Sequence, residues 1–298
     1  MNFKVTHITH YLYSEPVGTC HNEARLIPCN TRNQICHSSQ INVSPLTSDY
    51  RERTDFFGNR VTYFAINTSH TELKVTAVSS VETQSNSIDD TMLQQLPAWE
   101  EVVTQVSEAK DNGTLNAQQF CYNSPMIIAT PDMSEYARPS FSKNRPVTDA
   151  INDLVERIHR DFTYDPQFTT IATPLQDVLK HRRGVCQDFA QVAIACLRSL
   201  GLPARYVSGY LETIPPAGQQ RLVGADASHA WFSVYIPNLG WVDYDPTNNL
   251  MPMDQHITVA IGRDYQDVTP LKGVIFGGGE HELSVSVDVQ RVEDSVPA

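Results

Sequence analysis

The chain is short of positive charge, short of cysteine, and without a long apolar run. Lys and Arg number 22 against 34 Asp and Glu, a formal net charge of −12. That balance repels phosphate backbones and anionic lipid, so no nucleic acid and no membrane surface is expected as a partner. No apolar stretch is long enough to span a bilayer. Met1 to Gly18 alternates polar and apolar residues and lacks the short apolar core of a signal peptide. A cytoplasmic location is the expectation. Six cysteines in 298 residues are too few for a disulfide scaffold, and a reducing compartment would keep them as thiols. Internal repeats and long low-complexity segments are also missing. What remains suits a folded chain of one large domain or two ordinary ones, with 41% hydrophobic and 19% charged residues.

Residues 1–85 read as β-rich. Phe3 to Tyr13 carries aromatic and β-branched residues, and Gln40 to Val43 is a short strand ended by Ser44-Pro45. Gly58-Asn59 makes a turn into a strand ending at Phe64. Leu73, Val75, Ala77, Ser79 and Val81 alternate along one face, and strands spaced this way suggest an antiparallel sandwich. Residues 86–145 change character. Ser, Asn, Asp and Gln dominate first, then Pro97-Ala98-Trp99-Glu100-Glu101 could open a short helix, and proline recurs. This stretch reads as a connector with short helices. Residues 146–298 form the third part.

There, 147–161 has a helical stripe of Ile151, Leu154, Val155 and Ile158, with Thr148 as the expected N-cap. A second helix covers about Pro174 to Lys180. Arg182-Arg183-Gly184-Val185-Cys186-Gln187-Asp188 then leads into a third helix. Ala190, Ala193, Ile194, Leu197 and Leu200 recur in it at helical spacing, and Gly201 stops it. The period then changes. Ala204 to Leu211 is a strand, Ile214 to Asp226 a loop, and Ser228 to Ile236 a strand. Pro237 to Gly240 turns the chain into Trp241 to Tyr244. Ile257 to Ala260 and Leu283 to Val289 follow, the latter after a glycine-rich loop at 277–279.

Three residues in this part carry chemistry. Cys186 stands where a helix begins, and the unpaired N–H groups and dipole of a helix N-terminus favour a thiolate. A thiolate nucleophile needs a partner that accepts and returns protons, which imidazole does near neutral pH. A third group then fixes the ring's tautomer. His229 begins one strand and Asp245 ends the next, so the hairpin between them would bring both to one end. From spacing alone, Asp243 competes with Asp245.

The motifs Gly184-Val185-Cys186-Gln187-Asp188-Phe189-Ala190, Pro203-Ala204-Arg205-Tyr206-Val207-Ser208-Gly209-Tyr210, Asp226-Ala227-Ser228-His229-Ala230-Trp231, Gly240-Trp241 and Asp245-Pro246-Thr247-Asn248 resemble the bacterial transglutaminase-like family, whose members are often labelled cysteine proteases. The likeness continues from His256 through Val268 and is strong over roughly 150–290. Asn22-Glu23-Ala24-Arg25-Leu26 is similar to the β-rich domain that precedes the core in that family. The resemblance implies an α+β fold, with a papain-like, transglutaminase-like core preceded by a β-sandwich-like N-terminal domain. In such a core a helix bearing Cys packs on an antiparallel sheet bearing His and Asp. It also assigns the third role to Asp245. The implied activity is acyl transfer at a peptide or protein amide, in which Cys186 attacks the carbonyl, His229 moves the proton and Asp245 orients His229. A thioester then passes to water or to an amine. The Cys186 N–H would help hold the oxyanion, with Gln187 and Tyr164 as side-chain candidates. The mechanism implies no metal and no organic cofactor.

Other residues have plainer readings. Asp188 reads as a structural or capping carboxylate rather than a catalyst. Trp231, Trp241 and Tyr244 line a cleft or pack in the core. Cys20-His21, Cys29 and Cys36-His37 do not match the common zinc spacings.

Overall fold

A computed structural model describes residues 1–85, 96–170, 173–212 and 228–292. The expected loop from Ile214 to Asp226 and the first part of the connector lie outside those residues.

The N-terminal sheet is organised on one long strand, β1 (Asn2–Ala24). The expected strand ended at Tyr13. It runs on because Val17, Cys20 and Ala24 are fully buried on its inner face. The sheet's other early strands are β2 (Gln34–Ser44), β3 (Asp49–Thr54), β4 (Arg60–Ile66) and β5 (His70–Thr83). The first half of β1 pairs with β5, and the second half with β4. β2 lies beyond β5, and β3 beyond β4. The register shifts between Leu12 and Val17, where β1 passes from one partner set to the other. The two halves enclose a common core that includes Val17, Phe64, Ile66, Leu73 and Val75. The alternating face of β5 is buried throughout, from Leu73 to Val81. Each fully buried Val or Leu there contributes about 1.5–3 kcal/mol.

The connector holds α1 (Trp99–Ser107), α2 (Asn112–Gln118) and α3 (Pro131–Ala137). Next come α4 (Val147–Asp161), the short strand β6 (Thr163–Tyr164), α5 (Leu175–His181), β7 (Arg183–Gly184) and α6 (Cys186–Ser199). The bounds of α4 agree with the periodicity, but its cap does not. Pro146 occupies the N-cap position, and Thr148 lies buried inside the first turn. Proline's fixed φ suits the entry to a helix and leaves the threonine hydroxyl no capping task.

An antiparallel sheet of order β10-β9-β8-β11 follows, made of β8 (Ala204–Leu211), β9 (Ser228–Ile236), β10 (Gly240–Tyr244) and β11 (His256–Gly262). The apolar stripe of α6 packs against Ala204, Tyr206, Phe232 and Val234 in a single buried cluster. Arg198, near the end of α6, is buried too. Its guanidinium donates to the carbonyls of Phe120, Ala204 and Arg263 and to the Ser124 hydroxyl.

The last strands, β12 (Leu271–Gly277) and β13 (His281–Arg291), leave this sheet. Chain order put them with the part that begins at residue 146, but their hydrogen bonds are to β1. Gly277, Gly278 and Gly279 have φ of 95°, 95° and 60°, a left-handed run that glycine tolerates, and they turn the chain between the two strands. The two β-rich segments and the core are joined further by polar contacts. The Gln34 side chain donates to the Thr258 carbonyl and accepts its N–H, and Asn59 makes the same pair of bonds with Ile261.

Candidate active site

Cys186 is the first residue of α6 and is half-buried. The turn before it is held by Asp188, whose Oδ2 accepts the Val185 N–H at 2.8 Å and the Thr169 hydroxyl at 2.8 Å. Asp188 is therefore the capping carboxylate read from the sequence, and burial raises its pKa against those two hydrogen bonds. The cap explains Gly184. A Cβ there would stand 2.7 Å from Asp188 Oδ2 and 2.8 Å from Asp188 Cβ. The close approach is to a side chain. Gly184→Ala is expected to cost about 1–3 kcal/mol by overpacking and to slow alkylation of Cys186 in the folded protein. Urea unfolding and a thiol-labelling rate check both; a variant with unchanged values for both would refute the capping account.

His229 and Asp245 come together as the hairpin predicts. β9 and β10 pair with Gly240 opposite Ile236 and Tyr244 opposite Phe232. The start of β9 and the residue after β10 therefore share one end of the sheet. His229 Nε2 lies 2.7 Å from Asp245 Oδ2, and both residues are buried. Asp243 lies one pleat away and accepts a hydrogen bond from the Ser233 hydroxyl instead.

Asp245 is held on every side. Its Oδ1 accepts the N–H groups of Thr247 and Asn248 at 2.9 and 3.2 Å. This is an Asx-type turn, and Asp-Pro-Thr-Asn is suited to it. Its Oδ2 accepts from three side chains: His229, Asn248 Nδ2 at 2.7 Å, and His256 Nε2 at 3.1 Å. Asn248 and His256 fell within matched motifs but had no role from sequence. Asn248 could have been found from the local turn. His256 could not, because it reaches Asp245 through the loop 246–255 and begins β11, at the opposite edge of the sheet from β10. Its ring packs against Trp231 at 5.2 Å, and Trp231 fits only because position 209 has no Cβ.

The electrostatics follow from this packing. Burial pulls the His229 pKa down. The hydrogen bonds to Asp245 and Cys186 and the charges of both outweigh it, so the pKa ends above its ordinary value. Burial raises Asp245, but the His229 and His256 hydrogen bonds hold it well below the usual carboxylate range. Since Nε2 is engaged by Asp245, the other ring nitrogen is left for the thiol.

The remaining candidates separate. Tyr164 is exposed, opposite Gly184 in the β6–β7 pair. Partial burial and the charges of Cys186 and Asp188 raise its pKa. Gln187 is half-buried next to Cys186 in the chain. Trp231 and Tyr244 are fully buried and pack, whereas Trp241 lines a cavity. Cys20 faces His70 and Asn22, and Cys29 donates to the Val259 carbonyl. Among the described residues, the potential metal ligands that converge are His229, Asp245 and His256, within 4.8 Å of one another. Their mutual hydrogen bonds account for that arrangement.

Comparison with known proteins agrees with this architecture. Residues 3–82 match the bacterial transglutaminase-like N-terminal region, and residues 134–246 match the transglutaminase-like superfamily. An uncharacterized protein of Mycobacterium tuberculosis is 41% identical over 297 residues, covering 98% of this chain and 93% of that protein. A Pseudomonas aeruginosa protein named protein-glutamine gamma-glutamyltransferase is 31% identical over 137 residues, 42% of this chain and 20% of its own length. The crystal structure of a "putative cysteine protease" from Cytophaga hutchinsonii superposes with a TM-score of 0.76 at 21% identity, covering 100% of this chain and 92% of that one. That likeness is one of fold. With both segments matched in order and a relative aligned from end to end, the chain belongs to the transglutaminase-like superfamily.

Proposed function

We propose that the protein is a cysteine-dependent amidase or peptidase acting on a peptide or protein amide through Cys186, His229 and Asp245. The observation that carries this reading is the buried imidazole hydrogen-bonded to a buried carboxylate, on the sheet against which the helix that begins at Cys186 packs. The Cys186 sulfur attacks the amide carbonyl carbon. Negative charge moves to the carbonyl oxygen, which faces the first-turn N–H groups of α6, groups that no helical carbonyl can reach. His229 gives its proton to the leaving amine as the C–N bond breaks, and a thioester remains on Cys186. His229 then takes a proton from water, the hydroxide adds to the thioester, and the thiolate departs. Asp245 keeps the ring in one orientation through both steps. Six free thiols suit a cytoplasmic setting.

The second reading is transglutamination, in which an amine replaces water in the last step. The name of the Pseudomonas relative favours it, although that match covers only 42% of this chain and 20% of that protein. One assay divides the readings. A glutamine-containing peptide is offered with and without a fluorescent primary amine, and Cys186→Ala is the control. Ammonia or peptide release that depends on Cys186 is the expected result. Dominant amine incorporation would replace hydrolysis by transfer. Neither product, with no peptide adduct on Cys186 by mass spectrometry, would leave a non-catalytic scaffold.

A further inference from the structure

A cavity of about 380 Å³ lies on the face of the core sheet turned away from α6. It has no part in the proposed thiol chemistry. Arg205, Trp241 and Asp243 form its floor, and Asn30, Arg32 and Asn33, which follow β1, form its roof. The roof is fixed to the sheet. The Cys29 N–H donates to the Thr258 carbonyl at 3.2 Å, and the Gln34 amide donates to that carbonyl at 2.7 Å. The Asn30 side-chain oxygen accepts the Cys36 N–H at 2.8 Å, which leaves the Asn30 amide NH₂ available.

Arg205 is the unusual member. Its guanidinium lies 4.2 Å over the Trp241 ring, a stacked arrangement that presents its N–H edge. Its Nε is sealed and has no hydrogen-bond partner, and no described residue accepts from the rest of the group. The accessible part of this half-buried residue is left to face the cavity. Burial lowers its pKa to about 10, against the nearby charges of Asp243 and Cys29. The contrast is Arg198, which is buried in the same domain and supplied with four acceptors. The sealed Nε lacks an acceptor, and the accessible N–H edge of the group is free to take one from the cavity. Asp243 is close enough to act through charge but forms no ion pair with Arg205; its carboxylate takes the Ser233 hydroxyl.

We infer that this cavity binds a small carboxylate-bearing zwitterion of free amino-acid size, with its carboxylate on Arg205 and its ammonium toward Asp243. A guanidinium fork matches a carboxylate. Asp243 disfavours a second negative charge and favours a cationic group beside it. The volume is at the lower end of small-molecule sites, which run from about 300 Å³ upward.

The test uses the full chain and a panel of free α-amino acids. Each is paired with its decarboxylated amine and its deaminated acid, and binding is followed by tryptophan fluorescence and titration calorimetry. At least one amino acid should bind saturably, and its decarboxylated amine at least about tenfold more weakly. Arg205→Gln should abolish that binding and Arg205→Lys weaken it. Asp243→Asn should weaken the amino acid but not its deaminated acid. Cys186→Ala should bind as the parent does, which keeps this result separate from the fate of the catalytic reading. The inference is overturned if no panel member binds, if the amine binds as well as the amino acid, if inorganic phosphate displaces it at lower concentration, or if folded Arg205→Gln binds normally. Should Arg205→Gln fail to fold, Arg205→Lys and Asp243→Asn decide by the same criteria.

Discussion

His229→Ala should slow amide turnover by about 10²–10⁴-fold, the range for removing a positioned acid–base group. It should also slow iodoacetamide alkylation of Cys186 at neutral pH by about tenfold. The two effects differ for a physical reason. An ordinary thiol is already a few per cent thiolate near pH 7, so loss of the imidazole lowers the nucleophile's population only modestly. Turnover loses the proton donor to the leaving amine as well. In the parent, the raised His229 pKa keeps the ring charged, and so able to steady a thiolate, across the neutral range. Alkylation should therefore stay fast as the pH falls from alkaline to neutral, while the variant slows over the same span. Superimposable alkylation–pH curves for parent and variant would remove the imidazole from the chemistry. Global collapse is not expected, because the ring sits at the end of β9 and the core side of that strand is carried by Ala230, Phe232, Val234 and Ile236.

Asp245→Ala should cost about 3–5 kcal/mol of stability, the usual loss when one partner of a buried charge pair is removed. The substitution strands three donors, from His229, His256 and Asn248, and two backbone N–H groups. Asp243→Ala, which loses a single hydroxyl donor, should cost only about 1 kcal/mol. Urea unfolding of the three proteins measures both. The pH dependence has a definite sign. Asp245 has a lowered pKa in the fold, so its contribution is complete above the ordinary carboxylate value, about 3.9, and fades as the pH falls through the lowered one. His229 is raised, so its share is complete below the ordinary imidazole value, about 6.5, and fades as the pH rises through the raised one. The gap between parent and Asp245→Ala should be widest between those two ordinary values and narrow on both sides. A gap that does not vary with pH would mean that shape, not charge, is what the alanine removes.

Local periodicity was a sound guide to the core. The bounds of α4, β8 and β9 follow from spacing because 3.6- and 2-residue repeats are properties of the chain itself. The hairpin that places His229 near Asp245 was also legible, since a short turn sets its register. The choice of Asp245 over Asp243 was not legible from spacing. Both have the same strand parity, and it took the family resemblance to name one. In the structure the imidazole lies against Asp245, while Asp243 is engaged by Ser233. Thr148 misled for the same reason in miniature: a good capping residue beside a proline does not say which of the two the helix will use.

By itself, the sequence located α4, α6, β8, β9 and β10, pointed through the family resemblance to the α+β class, and set the order in which thiol, imidazole and carboxylate follow one another along the chain. Tertiary structure alone decided that His256 would buttress Asp245, that the C-terminal strands would complete the sheet on β1, and that Arg205 would be left without acceptors beneath the 30–33 segment. Periodicity reports which face of an element is buried but not what covers it. In each of these cases the covering group lies across a long loop or at the far end of the chain.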